Sequence, residues 1–92
     1  MRITDESDEP RLGNAEIRIR VDPHDGTCHG QHDIVVMAYR VPEGVAGPRM
    51  HCTISWGASV LLSVHGSEEF AEGLNTALGI ARQIREDGEY RP

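Results

Sequence analysis

One stretch near the end of the chain repeats with the period of an α-helix, and the periodic segments before it repeat in twos. Phe70, Leu74, Ala77, Leu78, Ala81 and Ile84 fall on one face of a helix, at spacings of three or four residues with Ala77 and Leu78 adjacent. Ser67 is the expected N-cap, with Glu68 and Glu69 in the first turn, where the helix dipole favours acids. Arg82 and Arg85 suit the C-terminal end, and Gly88 is the expected stop. Gly73, Ala77 and Ala81 form a strip of small side chains four residues apart, which would let the helix axis approach a sheet closely. A close approach would account for a mid-helix glycine that otherwise costs about 1 kcal/mol against alanine.

Four strands are expected upstream. From Ala15 to Val21 the alternation is strict: Ile17, Ile19 and Val21 take one face, Glu16, Arg18 and Arg20 the other. Ile34–Val41 is apolar on both faces, the mark of a central strand covered on both sides. Arg49–Trp56 alternates again, and Val60–His65 sets Val60, Leu62 and Val64 opposite Leu61, Ser63 and His65. Side-chain parity between the last two segments calls for a three-residue loop, Gly57 to Ser59, so that their apolar sets meet. Trp56, Ile54, Leu62 and Val64 would then pack on Phe70, Leu74, Leu78 and Ile84. The fold class that follows is α+β: a four-stranded, mainly antiparallel sheet with one C-terminal amphipathic helix on one face (ββββα). Residues 1–13, with Asp5, Glu6, Asp8 and Glu9, read as an acidic mobile tail; 14–87 as a single domain; 88–92 as a frayed end.

Ninety-two residues bury only about 60–65% of their unfolded surface, so such a core is small. The net charge of −6 and the four aromatic residues argue against nucleic acid, whose recognition needs excess cations and stacking platforms. All nine basic residues are Arg. That usage points to a GC-rich genome, bacterial or phage, and the missing lysine excludes a Schiff-base mechanism. No apolar run approaches the ~20 residues of a membrane span and no targeting segment is visible, so a cytoplasmic protein with reduced cysteines is expected.

Two groups of residues are candidates for a site. His24, Cys28, His29 and His32 fall in the loop from Asp22 to Asp33, and zinc accepts imidazole, thiolate and carboxylate ligands. Structural zinc sites usually join two separated ligand pairs, and no second pair stands elsewhere. A solvated polar loop without a metal cofactor is therefore the favoured reading, with zinc as the alternative. Cys52, between Met50 and Ile54, reads as a buried free thiol. The second group is the outer face of the sheet: Arg18, Arg20, Arg49, His51 and His65 project there with Ser55 and Ser63, around whichever side of the central strand the helix leaves open. An apolar stripe rimmed by Arg and His is the kind of surface that meets a protein partner or a second copy.

No phosphate loop, dinucleotide fingerprint, nucleophile elbow, HExxH or CxxC is present, and the chain is not expected to be an enzyme. The expected function is a small non-catalytic interaction module, regulatory or inhibitory, working through the outer sheet face as a heterocomplex or homodimer. A zinc-binding domain is the first alternative and an acidic mimic of nucleic acid the second.

Overall fold

A computed structural model describes residues 1–8, 15–24, 33–42, 50–57 and 62–92. Four strands, β1 (Arg2–Asp5), β2 (Ile17–Asp22), β3 (Ile34–Arg40) and β4 (Met50–Trp56), precede one helix, α1 (Val64–Asp87). The sheet is an antiparallel meander in chain order, β1-β2-β3-β4. The α+β architecture of four antiparallel strands and one C-terminal helix is the one that the periodicities predict.

Strand register sorts the side chains onto two faces. Ile19 pairs with Val36, which pairs with Ile54; Ile17 pairs with Ala38, which pairs with Cys52. These rows face α1, which lies over β3 and β4 and reaches β2 less. Ile19, Val21, Ile34, Val36, Ala38 and Met50 form the sheet's share of the core; Ala77, Ile80, Ala81 and Ile84 form the helix's share. Ile17, Cys52, Ile54, Phe70, Leu74 and Tyr90 close its margin. Each fully buried aliphatic side chain contributes roughly 1.5–3 kcal/mol of transfer free energy.

The small-residue strip does face the sheet. Gly73, Ala77 and Ala81 are all buried. A Cβ on Gly73 would stand 2.8 Å from Pro23 Cβ and 3.3 Å from Ile34 Cδ1, so only glycine lets the helix settle there. Gly88 ends α1 in the left-handed conformation, φ 77°, and its N–H donates to the Ile84 carbonyl at 2.7 Å.

The fourth strand differs from expectation. Of the segment Val60–His65, residues 60 and 61 lie outside the described residues, Leu62 and Ser63 are in no strand, and Val64 and His65 begin the helix. The three-residue loop inferred from parity falls largely outside the described residues, and residues 62–65 hold no strand for it to join. Ser63, not Ser67, is the N-cap: its backbone is extended (φ −65°, ψ 168°) and its hydroxyl oxygen accepts the Gly66 N–H at 3.0 Å. The first turn is therefore Val64-His65-Gly66, without an acid. Alternation over six residues imitates a strand, whereas one hydroxyl closing a backbone turn decides the start of a helix.

The missing strand is supplied by the N-terminus. Arg2–Asp5 pairs with β2 through Ile3 opposite Val21 and Asp5 opposite Ile19. Glu6 N–H continues the ladder to the Arg18 carbonyl at 2.9 Å. Asp5 Oδ1 accepts the Ser7 N–H at 2.9 Å, and Ser7 Oγ accepts the Arg18 N–H at 3.0 Å. Of the acids that read as a solvated tail, Asp5 and Glu6 tie down a turn. The other end is also held: Tyr90 packs on the core, and Gln83 exchanges hydrogen bonds with the Glu89 carbonyl at 2.6 Å and the Arg91 N–H at 3.0 Å.

The expected helix–sheet pairs need correction. Trp56 is 56% exposed and meets Phe70 edge to face, ring centroids 6.5 Å apart; Val64 is 78% exposed. The helix turns Ile80 and Ile84 inward and carries Leu78 to its flank.

Candidate protein-docking face

The face of the sheet away from α1 is built in rows. Thr4 stands beside Arg20, Arg20 beside Val35, and Val35 beside Ser55; Arg18 stands beside Met37, and Met37 beside Thr53; Tyr39 stands beside His51. The side of β3 that α1 leaves uncovered is therefore Val35, Met37 and Tyr39. This follows from Ile17, Ile19 and Val21 being the buried set of β2, since cross-strand neighbours share a face. Val35 is buried although no helix covers it; Met37 and Tyr39 are half-buried, and the Tyr39 hydroxyl donates to Met37 Sδ at 3.8 Å.

The two arginines of β2 differ in their electrostatics. Arg20 is held by two acids. Its Nε donates to Glu6 Oε1, a second nitrogen reaches Glu6 Oε2 at 3.4 Å, and a third donates to Asp33 Oδ2 at 2.7 Å. The hydrogen bond to Glu6 pushes the guanidinium pKa above its ordinary value, burial opposes it, and Asp33 adds to it. Arg20 thus binds the N-terminal segment to the start of β3, and its charge is more than neutralised. Arg18 has no ion pair among the described residues, and its Nε is buried without a hydrogen-bond partner. The buried Nε is out of reach of an incoming group, so the two terminal NH2 groups of Arg18, in no hydrogen bond or ion pair among the described residues, are the donors matched to an external carboxylate.

His51 lies on this face, exposed on the edge strand β4. Arg49 lies outside the described residues. His65 does not belong to the face: it sits in the first turn of α1, with Nε2 3.7 Å from Glu69 Oε1. Ser63 leaves the face for the same reason, having become the helix cap.

Of the proposed zinc ligands, only His24 is among the described residues. It is buried, its backbone N–H donates to Asp22 Oδ1 at 2.9 Å, and its Nδ1–H donates to Glu69 Oε1 at 3.1 Å. This contact joins the end of β2 to the first half of the helix. Cys28, His29 and His32 lie outside the described residues. Among the described residues, no group of three His, Cys, Asp or Glu side chains is arranged to hold a metal ion.

A concavity runs along the outer edge of β4, unpaired among the described residues, under α1. It has a volume of about 480 Å³ and is lined by Met50, Cys52, Ile54, Leu78, Arg82 and Arg85 among others. Burial pushes the Cys52 thiol pKa up, and the nearby Arg85 charge partly opposes it. The sequence places Cys52 as a buried thiol; it is half-buried, at the margin of the core, and lines this groove, which the sequence reading missed. Its signal was available in two parts, the uncharged strand Met50–Trp56 and the arginines at the end of the helix, but nothing joined them before β4 was known to be an edge.

No family model, curated protein or solved structure matches the chain. Among the described residues, no helix is long and apolar enough to cross a membrane.

Proposed function

We propose that this protein is a non-catalytic docking module that receives a largely apolar segment of a partner protein on the outer sheet face, with one carboxylate of that segment on Arg18. The observation that carries this reading is Arg18, a cation without an ion pair among the described residues. It stands beside the apolar pair Met37 and Tyr39 on a face the helix does not cover. Arg and Tyr are favoured at the centre of interfaces, where apolar area supplies burial and a charged hydrogen bond supplies orientation. The net charge of −6 disfavours nucleic acid as the occupant. The lysine-free composition suits a bacterial or phage protein of a GC-rich genome, and a cytoplasmic location agrees with its two cysteines.

A photo-crosslinking side chain placed at Tyr39, or at the exposed helix position Glu86 as control, tests this in lysate from a GC-rich bacterium. A discrete adduct is expected from position 39 alone, and it should disappear when Arg18→Glu is added to a protein that keeps its helical and strand signal. If no adduct depends on Arg18, the outer face is not the docking face.

A further inference from the structure

We propose that the edge of β4 left unpaired among the described residues and the adjoining flank of α1 form the contact with a second copy of this chain, giving a two-fold dimer with one continuous eight-stranded sheet. This contact uses neither Arg18 nor the outer face, so it stands or falls separately from the docking function.

The two edges of the sheet are unlike. β1 is four residues long and carries Arg2 and Asp5, the charged ends that discourage strand addition. β4 is seven residues long and contains no Asp, Glu, Lys, Arg or Pro. Of the five exposed large apolar side chains among the described residues, Trp56, Val64 and Leu78 belong to β4 or α1.

β4 is complementary to itself. An antiparallel pairing about a two-fold axis at Thr53 sets Met50 opposite Trp56 and Cys52 opposite Ile54 on the helix side. On the outer side it sets His51 opposite Ser55 and Thr53 opposite Thr53. Apolar residues meet apolar ones, polar meet polar, and no like charges are brought together.

The helices then meet at a packing distance. Strands in a sheet lie about 4.8 Å apart. Because α1 lies over β3 and β4 equally, each axis would sit about half a strand spacing inside β4. The two axes would be about 10 Å apart, close to the usual 8–10 Å of packed helices. The stripe of α1 on this flank is Val64, Glu68, Ala71, Asn75, Leu78, Arg82 and Arg85, all exposed, at alternating four- and three-residue steps. Its first half is acidic, with Glu72 adjacent, and its last turns are basic. Leu78 shares the groove with Cys52 and Ile54 and so lies close to the axis. Antiparallel helices would lay Arg82 and Arg85 of one copy along Glu68 and Glu72 of the other. Among the described residues these four side chains are in no ion pair within the chain.

Charge-reversed proteins test the arrangement by sedimentation equilibrium. Wild type is expected at twice the chain mass of 10.2 kDa. The variant Arg82→Glu/Arg85→Glu makes both helix ends acidic, and Glu68→Arg/Glu72→Arg makes both basic. Each alone should dimerise at least about tenfold more weakly, from two reversed pairs per end. An equimolar mixture of the two should recover the dimer, because opposite stripes then face each other. A charge-independent check uses Thr53→Cys in a Cys28→Ser/Cys52→Ser background: a short bis-maleimide should link two copies there and not at Glu86→Cys. The proposal is overturned if wild type is a monomer at about 100 μM. It is equally overturned if the variants dimerise like wild type, if mixing restores nothing, or if Thr53→Cys copies do not cross-link. A dimer indifferent to the helix charges but lost with Arg18→Glu would place the contact on the outer face instead.

Discussion

Gly73 of the helix passes directly over Pro23 at the end of β2, close enough that a methyl group on the glycine would stand 2.8 Å from the proline Cβ. The proline ring has no flexible end to swing aside, so backbone must move. Gly73→Ala is expected to lose stability by about 1–3 kcal/mol from overpacking, despite the better helix propensity of alanine. Gly79, six residues further along the same helix, has nothing within 4 Å of its would-be Cβ. Gly79→Ala should therefore stabilise, by about 0.5–1 kcal/mol. Thermal melts of the two variants should move in opposite directions; movement the same way would show that α1 does not approach Pro23 as described.

The start of the helix gives a second paired comparison. Ser63 Oγ accepts a backbone N–H of the first turn, whereas Ser67 is exposed within the helix. Ser63→Ala should cost about 1 kcal/mol and Ser67→Ala only tenths of that, read from urea midpoints. The reverse order would restore Ser67 as the cap and with it a strand up to His65.

Cys52 predicts a pH dependence. Burial holds its thiol pKa above the ordinary range, with Arg85 in partial opposition, so the folded state keeps the proton more tightly than the unfolded chain does. The resulting stabilisation is complete below the ordinary thiol pKa, about 8.5, and is lost as pH rises through the raised value. In a Cys28→Ser background, the melting temperature should fall more steeply between about pH 8 and 10 than in Cys28→Ser/Cys52→Ser. Alkylation of Cys52 should be slower than that of a free thiol at pH 8 and slower still in Arg85→Gln. Equal pH slopes for the two proteins would mean the thiol is not desolvated.

Period and parity made most of the fold legible in the sequence. The alternation of Ile17, Ile19 and Val21, the doubly apolar run from Ile34 and the strip Gly73, Ala77, Ala81 all lie where those patterns place them. Two errors offset each other: a strand expected through His65, where residues 62–65 instead lead into the helix, and an unread one at Arg2–Asp5. Val60–His65 has strand-like alternation, but the hydroxyl of Ser63 and the helix it begins outweigh that local preference. Arg2–Asp5 has almost no pattern of its own; it pairs because Glu6 meets Arg20 and Ser7 meets the Arg18 N–H, contacts separated by 14 and 11 residues that no local window contains. The candidate site was legible to the same depth. The pleat of β2 placed Arg18 and Arg20 together, but only the tertiary partners Glu6 and Asp33 distinguish the neutralised arginine from the other.

The meander has a consequence for how the chain is made. Each strand pairs with its neighbour in sequence, so the sheet can assemble as it leaves the ribosome, strand by strand and with little loop entropy to overcome. The layer that shields Ile19, Val36 and Ala38 comes from the last element. At 5–20 residues per second the 24 residues of the helix take roughly one to five seconds to synthesise. Until the helix has left the ribosome, the apolar face of the nascent sheet has no layer over it, a sticky intermediate for chaperones and for other nascent chains.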